Sequence, residues 1–332
     1  MDSNFINGKT FFITGGTGTL GKALVSKVKS CGGKVVVFSR DEGKQALLYG
    51  SDNSIIRIIG DIRDYDKLNV SIKRSNPDII IHTAALKRID DMEFYPDECV
   101  KTNIEGSENV AKAAFENKVE KCILISTDKA CQPVNVYGSS KFIAERIFTN
   151  YDYFSEHTIF SSVRYGNVLC SRGSFIPLWL SLLNDNKKIN VTSLEMTRFL
   201  FTINDAVETV LGAVKHSEGG EVFIPQIPSY DMRTIINAIK EIHAAEVQYN
   251  EVGLRPGEKL HEDMLALTEL PFTYEVDNIN LLCVRPQYTN RLHNKKWKKY
   301  TGTHFNSALH VSDDTKSLVD LIKRGSKESE SQ

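Results

Sequence analysis

The stretch Thr14-Gly-Gly-Thr-Gly-Thr-Leu-Gly21 decides the fold of this chain. It follows a short β-rich run, Thr10–Ile13, and opens a segment of helical spacing, Leu20–Ser30. Glycine lets a backbone turn tightly and approach a pyrophosphate, which the positive end of the following helix attracts. Any tight strand-to-helix turn favours glycine, but this strand, loop and helix context indicates a dinucleotide site. The glycines of the pattern G-x-x-G-x-x-G are Gly15, Gly18 and Gly21.

β-Rich runs and helical segments alternate through the first half of the chain. The runs are Thr10–Ile13, Lys34–Phe38, Ile55–Ile59, Ile79–Thr83 and Lys121–Ser126. The helical segments are Leu20–Ser30, Tyr65–Lys73, Asn103–Asn117 and one from Tyr137 to about Tyr151, followed by a strand at Ser161–Arg164. This alternation predicts an α/β fold, a Rossmann-type doubly wound parallel sheet.

The regular alternation of β-rich runs and helical segments ends after Gly166, where turn signals interrupt short apolar segments. We therefore expect a dinucleotide-binding domain over residues 1–166 that also carries the catalytic residues. A smaller substrate-binding lobe is expected over residues 167–325, with some strands and helices returning to the first sheet. Residues 326–332 are short and polar, which predicts a disordered tail.

Composition excludes several classes of partner. The chain has 332 residues, a net charge of -1 and 25% charged residues, so no excess of cations is available to bind nucleic acid. No apolar run approaches bilayer length, and residues 1–10 lack the apolar core of a signal peptide. The six cysteines form no C-x-x-C pair, and no cluster has metal-ligand spacing. We expect a cytoplasmic protein without a bound metal, nucleic acid or membrane.

The end of the second run bears on the choice of nicotinamide cofactor. NAD sites place a carboxylate there for the ribose 2′-hydroxyl, whereas NADP sites place a cation for the 2′-phosphate. Ser39 and Arg40 come first, which favours NADP, and Asp41 leaves NAD as the minority alternative. Asp61 follows the third run, where it either lies near the adenine or caps a helix.

A redox pair is predicted by Tyr137-Gly-Ser-Ser-Lys141, since residues four apart share one helix face. A nearby cation lowers the pKa of a phenol and helps it accept a proton from a hydroxyl. The strand end Ser126-Thr-Asp-Lys-Ala130 lies at the ligand-binding edge of such a sheet. There Thr127 can bind substrate, while Asp128 and Lys129 offer an acid and a base. Taken alone, the last two would indicate only a solvated turn.

At this point the chain resembles the extended short-chain dehydrogenase/reductase superfamily, and within it the inverting UDP-N-acetylglucosamine 4,6-dehydratases of pseudaminic-acid and capsule pathways. Retaining relatives carry an Asp–Glu pair where this chain has Asp128-Lys129, and some capsule-type relatives have methionine in place of Tyr137. The resemblance runs to about Leu265 and is poor beyond Pro271. The matching stretches are Thr14–Gly21, Phe38–Glu42, His82–Lys87, Lys101–Asn103, Ser126–Ala130, Pro133–Tyr137, Val163–Asn167, Ser171–Ser174, Met196–Phe199 and Arg255–Lys259.

The resemblance implies a mechanism. Tyr137 takes the C4 hydroxyl proton while hydride leaves for NADP⁺, and the resulting ketone acidifies C5–H. Lys129, as a neutral amine, removes that proton, and Asp128 protonates the departing C6 hydroxyl. Hydride then returns to C6, and a proton returns to C5 on the opposite face. Lys141 positions the nicotinamide ribose and polarises Tyr137.

The resemblance also implies contacts to cofactor and substrate. Besides Tyr137 and Lys141, the implied NADP contacts are Gly15, Thr17, Gly18, Thr19, Leu20, Gly21, Ser39, Arg40, Asp41, Lys44, Asp61, Ile62, Thr83, Ala84, Ser126 and Val168. The implied UDP-sugar contacts are Lys87, Thr127, Asn167, Arg172, Arg255 and Glu258. Taken singly, Lys87 is an ordinary surface lysine and Arg255 part of a turn. His82 is expected to be a packed strand-end residue. Relatives form dimers or larger rings, so a homo-oligomer is expected.

Two other functions stay open. One is an epimerase, a retaining dehydratase or a reductase on the same fold; an epimerase or reductase needs the Tyr–Lys pair but not Asp128 and Lys129. The other is a binding module that senses NADP without catalysis, in which case Tyr137 is dispensable.

Overall fold

The first half of the chain folds as the alternation predicts in the computed structural model, which describes residues 4–171 and 173–330. The five predicted strands, the four predicted helices and the strand after them are confirmed, with ends shifted by a few residues. The elements are β1 (Thr10–Thr14), α1 (Thr19–Ser30), β2 (Lys34–Ser39), α2 (Glu42–Tyr49), β3 (Ile55–Ile59), α3 (Tyr65–Ser75), β4 (Ile79–His82), α4 (Ile89–Phe94), α5 (Pro96–Cys99), a π-helical segment (Val100–Glu105), α6 (Gly106–Glu116), β5 (Lys121–Ile125), a 3₁₀ turn (Asp128–Ala130), α7 (Val136–Phe154) and β6 (Ile159–Val163).

The second half of the chain adds strands to the sheet that the first-half strands form, and it also forms a smaller lobe. Four of its strands, β10 and β14 to β16, join the first-half sheet. The elements are β7 (Asn167–Val168), α8 (Phe175–Asn184), β8 (Ile189–Val191), β9 (Thr197–Phe201), α9 (Ile203–His216), β10 (Val222–Pro225), β11 (Ser229–Asp231), α10 (Met232–His243), β12 (Tyr249–Glu251), β13 (Asp263–Leu265), a 3₁₀ segment (Leu267–Phe272), β14 (Thr273–Glu275), β15 (Leu281–Val284), β16 (Lys298–Lys299), β17 (Phe305–Asn306) and α11 (Thr315–Glu330).

The main sheet has ten strands in the order β16-β14-β15-β10-β6-β5-β4-β1-β2-β3. The seven from β10 to β3 are parallel, and β15, β14 and β16 continue the sheet antiparallel. Successive β1 residues serve opposite faces, since Phe11 and Ile13 enter one apolar core and Phe12 enters the other. The strand order reverses at β1, between β2 and β4, and ligands of such sheets bind at the carboxyl ends of strands beside this point.

The smaller lobe has its own apolar core. Trp179 of α8, Ile235 of α10 and Leu318 of α11 are buried together there, and β7, β9 and β11 form a three-stranded sheet beside it. None of the helices in the described ranges combines the length and the apolar character needed to cross a membrane.

Our expectation of a disordered tail over residues 326–332 is wrong as far as residue 330. That stretch forms the last turns of α11, and residues 331–332 lie outside the described residues. The polar composition misled us because the helix is amphipathic, with Leu318, Val319 and Ile322 buried against the lobe. The Ser329 hydroxyl also donates to the Cys170 carbonyl at 3.0 Å, which fixes the helix end.

A buried ion-pair network ties the end of β6 to two distant segments. The Arg164 guanidinium, 1% exposed, donates to both carboxylate oxygens of Glu145 on α7 at 2.9 and 2.7 Å. It also donates to both oxygens of Glu269 at 2.8 and 2.9 Å. Two bidentate pairs on one guanidinium neutralise its charge and also fix the positions of both carboxylates relative to it. The network therefore joins the end of β6 and helix α7 to the segment before β14.

Replacing Arg164 with Met is expected to leave the buried Glu145 carboxylate and the partly buried Glu269 carboxylate without a cation. Losing one partner of a buried ion pair lowers the free energy of unfolding by about 3–5 kcal/mol. Urea unfolding followed by circular dichroism measures the change. The control Arg74→Met removes an exposed guanidinium and is expected to change that energy by less than about 0.5 kcal/mol. Equal stability of the two variants would contradict the assigned role.

Candidate active site

The glycine loop between β1 and α1 is shaped by the close approach of two backbones. Gly15 has φ +67°, and a Cβ atom added there would lie 2.8 Å from the Ala84 nitrogen. A Cβ at Gly21 would lie 2.4 Å from the Gly15 carbonyl oxygen. Gly18 precedes α1 and offers its N-terminus no side-chain cap. The loop thus leaves the positive end of α1 open to an anion, as a phosphate site requires.

Predicted cofactor residues from four segments line one cleft beside this loop. The Thr83 hydroxyl donates to the Thr14 carbonyl at 2.7 Å, which holds the end of β4 against β1. The cleft is lined by Gly15, Phe38, Ser39, Arg40, Gly60, Asp61, Ile62, Ala84, Ala85 and Thr102. Thr17 does not line this cleft, but its hydroxyl donates to that of the lining residue Ser39 at 3.5 Å.

Arg40 and Asp41 behave differently at the end of β2. The Asp41 carboxylate caps α2 by accepting the Lys44 amide at 2.9 Å and pairs with the Lys44 ammonium at 2.6 Å. Arg40 is 55% exposed, and its guanidinium lies 3.7 Å from the Asp61 carboxylate. Burial raises the pKa of Asp61, but the Arg63 guanidinium, 2.7 Å away, outweighs it and holds that pKa below its ordinary value. The cation at this strand end is therefore the more available group.

The loop after β5 carries the predicted acid and base. The Asp128 amide donates to the Tyr165 carbonyl at 3.0 Å. The Ser126 hydroxyl donates to Glu145 at 2.5 Å, which links the loop to the Arg164 network. Thr127 precedes the 3₁₀ turn, and its hydroxyl accepts the Lys129 amide at 3.4 Å. Both ends of the loop are fixed by hydrogen bonds, so the two side chains are presented by a rigid turn.

Asp128 and Lys129 are in direct contact. Asp128 is 1% exposed, and its Oδ1 accepts from Lys129 Nζ at 3.0 Å and from the Thr127 hydroxyl at 2.8 Å. Its Oδ2 is buried and has no hydrogen-bond partner among the described residues. Burial raises the pKa of Asp128 above its ordinary value, against the influence of Lys129. A buried carboxyl with one open oxygen is suited to donating a proton to a bound hydroxyl.

The charge of Lys129 differs from our expectation of a lowered pKa. Burial does lower the pKa of this ammonium, but two carboxylates outweigh burial and raise it above the ordinary value. They are Asp128 and Glu262, whose Oε1 lies 3.2 Å from Lys129 Nζ. Sequence reasoning overlooked Glu262, which lies outside the resemblance motifs and 133 residues along the chain. Lys129 is therefore an ammonium in the ligand-free chain.

Tyr137 and Lys141 occupy the first turns of α7, on one helix face as predicted. Burial lowers the pKa of Lys141 to about 8. Burial also raises the pKa of Tyr137 to about 12, and the largest opposing influence is Lys129, followed by the Thr127 hydroxyl. We had expected Lys141 to be the main cation acting on the phenol. The reason for the difference is that the 3₁₀ turn brings the Lys129 ammonium to the phenol.

The start of α7 fits closely against the 3₁₀ turn. A Cβ atom at Gly138 would lie 2.3 Å from the Lys129 carbonyl oxygen. Asn135 caps the helix by accepting the Gly138 amide at 2.6 Å, and its own amide donates to the Gly257 carbonyl at 2.7 Å. The Arg255–Lys259 loop is therefore docked at the start of α7.

The predicted substrate residues lie at different depths. Lys87 is exposed after β4, and Arg255 is about half exposed and pairs with Asp90 at 3.2 Å. The Arg255 amide donates to Glu258 at 3.2 Å. Asn167 begins β7, and its buried Oδ1 has no hydrogen-bond partner among the described residues. Val168 follows it, half-buried, and Arg172 lies outside the described residues.

Two further polar residues support the site. Asn103, in the π-helical segment, accepts the Leu86 amide at 2.8 Å and donates to the Leu86 carbonyl at 2.9 Å and to the Ser140 hydroxyl at 3.0 Å. It thereby joins the loop after β4 to α7. His82 is buried between the hydroxyls of Thr14 at 2.7 Å and Ser107 at 3.0 Å, which confirms that it is a packed strand-end residue.

One trio in the described ranges has the composition of a metal site, although we expected none. Ligand atoms of Glu218, Glu221 and His293 lie within 4.8 Å of one another. Glu221 accepts the Glu218 amide at 2.7 Å, and Glu218 accepts the Lys295 amide at 3.2 Å. Because Glu221 directly precedes β10, the trio lies at the amino end of a parallel strand, at the edge opposite the ligand-binding one.

Comparisons with known proteins agree with this geometry. A family model described as "Polysaccharide biosynthesis protein" matches residues 11–283. The chain is 41% identical over 281 residues to the UDP-N-acetylglucosamine 4,6-dehydratase (inverting) of Campylobacter jejuni subsp. jejuni serotype O:23/36 (strain 81-176), with 82% of each chain covered. It is 37% identical to the UDP-glucose 4-epimerase of Rickettsia bellii (strain OSU 85-389), with 81% of each covered.

Among solved structures, Pen from Bacillus thuringiensis matches with a TM-score of 0.88 and 36% identity, covering 96% of this chain and 98% of that chain. The family match spans the glycine loop, the turn that carries Asp128 and Lys129, and helix α7. The chain belongs to the polysaccharide biosynthesis protein family, within the extended short-chain dehydrogenase/reductase superfamily that its motifs resemble.

Proposed function

We propose that this protein catalyses the NADP-dependent 4,6-dehydration of UDP-N-acetylglucosamine with inversion at C5. The product is UDP-2-acetamido-2,6-dideoxy-β-L-arabino-hex-4-ulose, an intermediate for deoxysugar and glycan biosynthesis. The observation that carries the proposal is the 3.0 Å contact between Asp128 and Lys129 beside Tyr137. The dehydratase relative at 41% identity supports the reaction and the sugar.

The residues around the glycine loop fit a dinucleotide. Side chains at Gly15 and Gly21 would fill the space in which the backbones approach, and the open N-terminus of α1 suits a pyrophosphate. NADP⁺, if bound there, would supply the hydride acceptor and, once reduced, the hydride donor for the sugar. Arg40 supports NADP over NAD, because its exposed guanidinium is only loosely paired with Asp61 at 3.7 Å, while Asp41 is paired with Lys44 at 2.6 Å. Lys141 would bind the ribose beside Tyr137.

Tyr137 is proposed to take the proton of the C4 hydroxyl. A phenol does this as the phenolate, which burial opposes and nearby cations favour. Lys129 and the Thr127 hydroxyl both lower the pKa of Tyr137. The base is therefore activated by the same turn that carries the acid for the later step.

The acid–base pair becomes competent through one internal proton transfer. Moving a proton from the Lys129 ammonium to the Asp128 carboxylate, across their 3.0 Å contact, leaves a neutral amine and a carboxylic acid. Burial favours this neutral pair over the charged one. Lys129 then removes the C5 proton, and Asp128 donates its proton to the departing C6 hydroxyl. The open Oδ2 of Asp128 offers the place for that hydroxyl.

A nucleotide-sugar 4-epimerase is the second candidate, because a relative at 37% identity carries that name. That reaction uses the tyrosine and the cofactor but removes no proton from C5. The buried Asp128–Lys129 pair would then be two desolvated charges without a chemical task, which is costly for a fold to keep. A binding module that only senses NADP leaves the phenol unexplained as well.

Replacing Lys129 with Met tests the dehydratase against the epimerase. We expect the wild type to convert UDP-N-acetylglucosamine in D₂O to an inverted 4-keto-6-deoxy product with deuterium at C5, observed by proton NMR. The variant is expected to lose at least about 100-fold in kcat, the usual contribution of a general base. Lys240→Met, an exposed lysine on α10, is the control. Epimerase turnover retained by Lys129→Met would overturn the dehydratase proposal.

Replacing Arg40 with Ala tests the cofactor. Loss of a charged hydrogen bond to the 2′-phosphate is expected to weaken NADP⁺ binding by about tenfold or more, while NAD⁺ binding changes little. Isothermal titration calorimetry with both cofactors measures the two affinities. Arg57→Ala, on the adjacent edge strand β3, is the matched control. An equal loss for both cofactors would argue against the 2′-phosphate contact.

A further inference from the structure

Glu262 is a buried carboxylate that directly faces the proposed base. It is 2% exposed, lies immediately before β13, and its Oε1 is 3.2 Å from Lys129 Nζ. Its Oε2 is buried without a hydrogen-bond partner among the described residues. A carboxylate buried this deeply is unfavourable unless a cation compensates it. The compensation comes mainly from the side chain that has to act as a base.

The backbone of Glu262 is fixed from two directions. Its amide donates to the Ser307 hydroxyl at 2.8 Å, and its carbonyl accepts the Ser307 amide at 2.8 Å. Arg198, on β9, donates to the carbonyls of Lys259 at 3.0 Å and Leu260 at 3.2 Å. The backbone that carries Glu262 is thus held in place by groups other than Lys129.

Charged groups from several neighbouring elements face Lys129 and Glu262. Lys129 is faced by the carboxylates of Asp128 and Glu262, by the Arg198 guanidinium and by the Tyr137 phenol. Glu262 is faced by Lys129, by Lys259 and by Arg198, whose Nε lies 3.9 Å from Oε1. Burial raises the pKa of Glu262, but these three cations outweigh burial and lower it. Glu262 therefore stays ionised while Asp128 changes its protonation.

One stage of the proposed dehydration leaves Lys129 without Asp128 as a counter-ion. When Asp128 holds a proton, the only carboxylate still charged beside Lys129 is Glu262, among the groups just named. As the amine then takes the C5 proton, positive charge develops on Nζ. A fixed negative charge 3.2 Å away stabilises that developing charge.

We propose that Glu262 is a positioning residue that serves as the permanent counter-ion of Lys129, so that the amine remains a strong base after Asp128 has been neutralised. This proposal rests on the dehydratase function. It assigns no proton transfer to Glu262 itself, because its carboxylate stays charged throughout.

The first test is the pH dependence of kcat for Glu262→Gln. The proposed step needs one proton shared between Lys129 and Asp128, so kcat falls at alkaline pH when Lys129 loses that proton. Removing the negative charge of Glu262 lowers the pKa of Lys129, and we expect the midpoint of this alkaline fall in kcat to move down by about one pH unit or more relative to wild type. Glu262→Asp retains the charge and is expected to give an intermediate midpoint. The control Glu241→Gln removes an exposed carboxylate of α10 and is expected to leave the midpoint unchanged.

The second test needs no turnover. Competitive acetylation followed by mass spectrometry measures the amine fraction of Lys129 in the ligand-free chain, with Lys240 as the internal reference. Glu262→Gln is expected to raise the acetylation rate of Lys129 at about pH 9 by at least about tenfold. If the Gln variant does not fold, Glu262→Asp carries the test, with a smaller increase expected.

The outcomes separate the two proposals. If the wild type does not dehydrate UDP-N-acetylglucosamine and Lys129 acetylation still rises, the function is wrong and the counter-ion pairing stands. If the wild type dehydrates the sugar but the folded variants alter neither the alkaline midpoint of kcat nor the acetylation rate, the role of Glu262 is overturned.

Discussion

The double ion pair of Arg164 is the interaction on which the geometry of the site depends. One guanidinium at the end of β6 holds Glu145 of α7 and Glu269 of the second half. Ser126 donates to the same Glu145 carboxylate, so the loop after β5 is attached to the network as well. A buried ion pair adds little net stability but strongly penalises any arrangement in which a partner is lost. The strand, the helix and the catalytic loop therefore keep one relative position.

Periodicity was sufficient to predict the six strands that the first half contributes to the main sheet, because each of these elements buries residues of its own. The predictions were poorest where the pattern is short or polar. The short helix α2 was missed since its eight residues bury only Gln45 and Tyr49. The end of α11 was wrongly expected to be disordered, since its stability comes from packing on the lobe rather than from composition. Tertiary contacts of this kind leave little trace in a local window.

In the candidate site, too, some features could be predicted from the sequence and others could not. Asp128 and Lys129 are adjacent in sequence, and Tyr137 follows at a fixed interval on the next helix, so local spacing was enough to group them. The protonation of Lys129 was not predictable from that spacing. It depends on Glu262, which a loop of the smaller lobe brings to 3.2 Å, and on Arg198 behind it. Electrostatic environments are properties of the assembled fold, since they sum charges from every packed element.

Gly138 shows how narrow the tolerance of this assembly is. The helix that carries the phenol touches the peptide that carries the amine, and a single methyl group would lie 2.3 Å from the Lys129 oxygen. Backbone cannot yield as a flexible side chain can, so any larger residue would tilt the helix and separate the two reactive groups. During evolution, position 138 is therefore restricted to glycine, while the partly exposed Ser139 beside it can be substituted. A mutant library for enzyme engineering should vary residue 139 and keep Gly138.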